Sequence, residues 1–183
     1  MTAASLILVR HAAPLIEPGV PPPQWGLSPE GRADAEALAV RVAALKPQAI
    51  CASTEPKAIE TARLLARPLG LAIDTDPAFD EHRRGSWPFE PDAAVRDARM
   101  LRVLSDFGSS VDGAEVGAAA AARFAAGVEA RAARPLVIVS HGTILSLFLA
   151  WTASLEPQAL WRSLRLPEAL VLNGSGDLID RFG

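Results

Sequence analysis

The sequence predicts an α/β protein with a mainly parallel sheet and one antiparallel edge hairpin. Three observations lead there. The runs "LILV" and "LVIVS" are apolar at nearly every position, the mark of strands buried on both faces. Such runs alternate with segments of helical spacing, the order expected of a parallel sheet. The last apolar run, "ALVLNGSGDLIDRF", places Asn and Gly between two strand-like stretches and reads as a hairpin.

The elements follow in order. Leu6 to Val9 is the first strand. Pro14 to Pro23 is proline-rich and is expected to be irregular. "LSPEGRADAEALAVRVAAL" is a helix, with Ser28 as N-cap, Pro29 in the first helical position and Pro47 beyond its end. "AICAS", Ala49 to Ser53, is a second short strand. "TEPKAIETARLLARPLG" is a helix with Ile59, Ala62, Leu65 and Ala66 on one face and Gly70 closing it. "LAID" is the third strand. Then "RRGSWPFEPD" reads as loop, "AAVRDARMLRVLSDF" as helix and "GSSVDG" as loop. A long helix spans roughly Glu115 to Ala133, its alanines read as helix propensity rather than as a repeat. Leu136 to Ser140 is a strand, followed by a tight turn and a helix. The final hairpin is expected to turn at Asn173 and Gly174.

The chain has 183 residues, 50% hydrophobic and 21% charged, which suits one globular domain over 1–183 without a linker. A net charge of −3 supplies no basic field to recruit nucleic acid or an anionic membrane. No segment reaches the roughly 20 apolar residues that span a bilayer. The first residues do not read as a signal peptide, because the apolar run is short and no basic region precedes it. The single cysteine, Cys51, allows no internal disulfide and reads as a core residue. These features lead to the expectation of a cytoplasmic protein with no nucleic-acid or membrane partner, and they leave oligomeric state open.

In open α/β sheets, ligands bind beyond the carboxyl ends of the strands. The first strand ends in Arg10-His11, the second in Ser53-Thr54 with Lys57 soon after, and the "VIVS" strand in His141-Gly142-Thr143. Two of the three histidines therefore follow apolar strands directly. One such histidine would read as a capping or core residue; two point to a shared site. A guanidinium at a buried strand end is costly unless a carboxylate or phosphate pairs with it. Lys57 lies at the positive end of its helix, where a cation makes sense if an anion is shared with the helix N-terminus, though it also reads as a solvated lysine.

The segments "LVRHA", "STEPKAIETA", "DEHRRG" and "VSHGT" resemble the signature segments of the histidine phosphatase superfamily, also called phosphoglycerate-mutase-like, and occur in that family's order. The resemblance implies a three-layer sandwich with helices on both faces of the sheet. It also implies a variable segment, at about 82–113, that covers the site. His11 would be the nucleophile that becomes phosphohistidine. Arg10, Lys57, His141 and Gly142 would hold the phosphoryl group, and Glu81 would be the proton donor. Asp80 is a fallback acid and Glu115 a more distant one. The chain departs from the family pattern in several places. Ala12 stands for the usual glycine, Lys57 for the usual arginine, and Glu17 lies near the usual asparagine. "RRGSWPF" replaces a frequent G-x-W-E-G, and "VDGAEV" only partly matches a family stretch.

The chemistry explains the residue types. A phosphomonoester is dianionic near neutral pH, so fixed cations must offset its repulsion of a nucleophile. His11 needs one unprotonated ring nitrogen, with the other held by an acceptor such as a backbone carbonyl. The leaving alkoxide needs a proton, and the resulting carboxylate can then deprotonate the attacking water. A zinc or iron site is the rival for two histidines and a carboxylate. The spacings H-x-H and H-E-x-x-H are missing, and Arg10 and Lys57 would repel a metal ion. No cofactor or metal is therefore expected. Ser53 and Thr54 lack a nucleophile elbow and read as helix caps with possible phosphate contacts. His82 reads as part of a solvated turn, Arg83 and Arg84 as turn or substrate contacts, and Trp25 and Trp87 as walls of the site.

The reading that follows is a metal-independent phosphatase acting on a small phosphomonoester. The alternatives are a phosphomutase of the same superfamily and a catalytically weak phosphate-binding regulatory module.

Overall fold

In a computed structural model, residues 4–87 and 90–183 are described. Pro88 and Phe89 of the expected loop lie outside them, as do the first three residues of the chain. The strands are β1 (Ala4–Arg10), β2 (Ala49–Ala52), β3 (Ile73–Thr75), β4 (Leu136–Ser140), β5 (Glu168–Asn173) and β6 (Leu178–Phe182). The helices are α1 (Pro29–Ala44), α2 (Pro56–Ala66), α3 (Ala93–Ser105), α4 (Gly117–Glu129), α5 (Gly142–Ala153) and α6 (Pro157–Ser163).

The strands form one sheet in the order β3-β2-β4-β1-β5-β6. The first four are parallel, and β5 runs antiparallel to both β1 and β6. Alternation along each strand explains why both faces are covered. Ile7, Val9, Ile50, Val137, Val139 and Val171 pack against Leu38 and Val42 of α1 and Ala62 and Leu65 of α2. Leu6, Leu8, Leu136, Ile138 and Leu170 face Val103 and Leu104 of α3, Phe124 of α4 and Leu145 and Leu147 of α5. Cys51 is buried on this second face. The result is the expected three-layer α/β sandwich. Among the described residues, no helix is long and apolar enough to cross a membrane.

Local chemistry accounts for several element ends. Ser28 Oγ accepts a hydrogen bond from Gly31 N at 3.0 Å, and Pro29 opens α1. Gly31 must be glycine for a packing reason: a Cβ there would come within 2.2 Å of Ala13 O. Its absence lets α1 press on the loop that leaves β1. Gly70 closes the turn after α2 in the left-handed region, at φ 64°.

Four details differ from the sequence expectation. The third strand begins at Ile73, because only Ile73–Thr75 find partners on β2. The alanine-rich helix is shorter at both ends, covering Gly117–Glu129. The helix α6 has no counterpart in the expectation; it is short and buries only Leu160. The hairpin turns later than Asn173-Gly174. The Asn173 side-chain oxygen accepts from Ser175 N and Asp177 N, both at 2.9 Å, and Gly176 takes the positive φ, 89°.

Candidate active site

The connections of the sheet create the site. Chain leaving β1 enters α1 on one face, and chain leaving β4 enters α5 on the other. Because β1 and β4 are adjacent and parallel, their diverging exits open a crevice at their carboxyl ends. The register pairs Arg10 with Ser140, and His11 N donates to Ser140 O at 2.9 Å. The next residue on each strand is a histidine. The rings of His11 and His141 meet edge to face, 5.0 Å between centroids and 65° between planes.

The hydrogen bonds fix what each ring can do. His11 Nδ1 lies 2.7 Å from Ala12 O. A carbonyl only accepts, so Nδ1 carries the proton and the neutral ring keeps its lone pair on Nε2. His141 Nε2 lies 2.8 Å from Ser53 Oγ. Ser53 Oγ donates its one proton to Asp80 Oδ1 at 2.8 Å, so His141 is the donor to Ser53. Both histidines are held well below the usual imidazole range. Burial is the main cause for each; His141, Lys57 and Arg10 add to it at His11, and Lys57, Arg84 and Arg10 at His141.

The expected cations converge on the same place. The Arg10 guanidinium lies against Gly142, where a Cβ would stand 3.2 Å from both Cζ and Nε. Gly142, the first residue of α5, thus leaves room for Arg10. Arg10 Nη1 donates to Leu164 O at 2.6 Å, while its buried Nε has no partner among the described residues. Burial lowers the Arg10 pKa, against the pull of Glu81 and Glu168. Lys57 is 7% exposed, so it is not a solvated lysine. Its Nζ donates to Pro22 O at 2.9 Å and forms an ion pair with Glu55 Oε2.

Four carboxylates surround these groups, and they are not equivalent. Glu81 accepts from His82 N at 2.9 Å, Ile144 N at 2.9 Å and Thr143 N at 3.3 Å, which ties it to the first turn of α5. Burial raises its pKa, but Arg84 and the backbone donors of His82 and Ile144 outweigh that and hold it below the usual carboxylate range. Asp80 is committed to the loop after β2 through Ser53 and Thr54. Glu115 is gripped by Arg123 through Nε at 3.0 Å and Nη2 at 2.9 Å. Both fallback acids are therefore structural braces here. The fourth, Glu55, has no role in the sequence reading. Its Oε1 stands 3.7 Å from His141 Nε2 while its Oε2 pairs with Lys57. Burial raises its pKa, Lys57 lowers it, and Glu81 and Asp80 raise it again; the net direction is up.

The segment after Glu81 corrects one expectation. His82 is buried rather than solvated, with Nε2 donating to Glu115 O at 2.7 Å. Arg84 reaches Glu81 at 3.9 Å, whereas Arg83 is exposed. Trp25 O accepts from Lys57 N at 3.1 Å, so this tryptophan braces the start of α2. Trp87 Nε1 donates to Asp112 O at 2.9 Å. Among the described residues, no group of three or more His, Cys, Asp or Glu side chains is placed to hold a metal ion.

The sequence model of the histidine phosphatase superfamily (branch 1) matches residues 6–172. The chain belongs to the histidine phosphatase superfamily. No curated protein matches it in sequence. Several solved structures are similar in fold along nearly the whole chain. A mycobacterial glucosyl-3-phosphoglycerate phosphatase in complex with inorganic phosphate is 26% identical, with a TM-score of 0.70 over 92% of this chain and 89% of that one. An Escherichia coli protein, whose proposed activity is that of an α-ribazole-5′-P phosphatase, is 21% identical, with a TM-score of 0.71 over 99% and 97% of the two chains. A protein of Agrobacterium tumefaciens with the proposed activity of the phosphohistidine phosphatase SixA is 19% identical, with a TM-score of 0.68 over 98% and 97%. The three names point to three different substrates at nearly equal structural similarity, so likeness of fold does not select among them.

Proposed function

We propose that this histidine phosphatase hydrolyses a small phosphomonoester through a phosphohistidine on His11, without a metal ion. The observation that carries the reading is the state of His11. Its Nδ1 is held by Ala12 O, its lone pair is on Nε2, and its ring faces His141 with Arg10 and Lys57 close enough to depress its pKa. Nε2 attacks phosphorus and the ester P–O bond breaks. Arg10 and Lys57 offset the charge on the phosphoryl oxygens, and His141, neutral in the free site, donates a hydrogen bond to them. Glu81 gives a proton to the leaving alkoxide, then takes one from the water that cleaves the phosphohistidine. In the free site Glu81 is held ionised by Arg84 and backbone donors. A dianionic phosphoryl group beside it opposes that ionisation and moves its pKa toward the donor range.

The mycobacterial relative that holds inorganic phosphate supports the class of ligand. We read residues 82–113 as the segment that covers the site. Two bonds tie its ends together, Arg83 N to Glu115 Oε2 and Trp87 Nε1 to Asp112 O. The test is a panel of phosphorylated metabolites with a chelator present throughout. Hydrolysis of at least one ester, inhibited by vanadate, is expected. Activity that vanishes on chelation and returns only with added metal would contradict the mechanism.

Lys57 gives a second, sharper test. Lys57→Ala should cost about 2–4 kcal/mol of transition-state stabilisation, the range for one preorganised donor in a water-poor site. That is roughly thirtyfold to a thousandfold in kcat/KM. Lys57→Arg should keep much more activity, because the charge stays at the same end of α2. An alanine variant within about twofold of wild type would remove Lys57 from the phosphate-binding group.

A further inference from the structure

Glu55 is the one carboxylate at the site with no assigned role. It occupies the N-cap position of α2, yet its side chain makes no capping hydrogen bond. Instead the carboxylate turns into the cation cluster. One oxygen pairs with Lys57 Nζ, and the other stands 3.7 Å from His141 Nε2. Its side chain is only 13% exposed, so water screens these contacts poorly. Asp80, Glu81 and Glu115 are held by backbone donors, hydroxyls or an arginine, whereas Glu55 is held by Lys57 and stands beside His141, both assigned above to the phosphoryl group.

We propose that the Glu55 carboxylate occupies part of the phosphoryl subsite in the substrate-free protein and competes with phosphate for Lys57 and His141. The proposal rests on the phosphatase reading. A carboxylate presents two oxygens of partial negative charge, as two oxygens of a phosphoryl group do, and both cannot use the same donors. A bound dianion must displace Glu55 or take up a proton with it. Displacing Glu55 costs substrate and product alike. An ester substrate offsets that cost through further contacts of its leaving group, while orthophosphate has only the contested subsite and is left weakly held. Glu55 returns to Lys57 as orthophosphate leaves. Its raised pKa agrees with a carboxylate poorly accommodated as an anion, with Glu81 and Asp80 nearby.

The test is calorimetric titration of inorganic phosphate into the wild type, Glu55→Gln and Glu55→Leu. It is done at mildly alkaline pH, where orthophosphate is mostly dianionic. Gln keeps the shape and removes the charge; Leu removes both charge and hydrogen bonding, so a folding defect in one variant leaves the other to report. Both are expected to bind phosphate about tenfold or more tightly than wild type, the scale for removing a like charge from an anion site. A wild type too weak to measure beside variants that bind gives the same support. Equal or weaker binding by both variants overturns the role of Glu55 while leaving the phosphatase reading standing. If no protein binds phosphate, the phosphatase reading falls and this inference with it.

Discussion

His11→Ala should abolish turnover, lowering kcat/KM by about 10⁴-fold or more, the scale for deleting the nucleophile of a covalent mechanism. The reason is geometric as well as chemical. Parallel register places His11 directly across from His141, and the bond from Nδ1 to Ala12 O aims the one free lone pair. No other side chain at the site combines these features. His141 donates to Ser53 and has its own strand-end position, but Arg10 packs on Gly142 beside it rather than preceding it. The variant should stay folded, because the lost side chain makes a single hydrogen bond to the adjacent carbonyl. A thermal melt close to wild type, together with lost activity, separates chemistry from unfolding. Activity within tenfold of wild type would remove His11 as nucleophile.

The second large effect belongs to Glu81, and it depends on the leaving group. An aryl ester such as p-nitrophenyl phosphate leaves as a stable anion that needs little protonation, whereas a sugar alkoxide needs a full proton. Glu81→Gln should therefore slow sugar phosphates by about 10²–10⁴-fold, the usual range for a general acid. The aryl ester should lose much less. Gln still offers one acceptor oxygen to the first turn of α5, where Ile144 N now donates to the carboxylate. Equal losses on both substrates would assign Glu81 to holding α5 rather than to proton transfer. Glu55, whose pKa is raised, would then be the next carboxyl to examine.

The strand ends were legible in the sequence for a physical reason. An apolar run that stops on Arg10-His11 or on His141-Gly142 places polar groups at a buried strand end, where they are costly without a partner, and parallel pairing brings the two ends together. The three layers follow from alternation within strands that are apolar on both sides. Other features depend on distant chain and leave no local trace. His82 looks like a solvated turn residue until Glu115 O reaches its ring. Asp80 looks like an acid until Ser53 and Thr54 surround it. Glu55 reads as an ordinary acidic residue before a helix, favoured there by the macrodipole. Only the fold shows that it turns to Lys57 and His141 instead. The helix α6 escaped because it is only seven residues long and buries only Leu160.

The central claim is a covalent phosphate on His11, and a quenched labelling experiment addresses it most directly. Protein mixed briefly with a substrate carrying labelled phosphorus, then denatured in alkali, should retain label that is stable to alkali and released by acid. Peptide mapping should place it on His11, and His11→Ala should carry none. Label on another residue, or undiminished labelling of His11→Ala, would contradict the account.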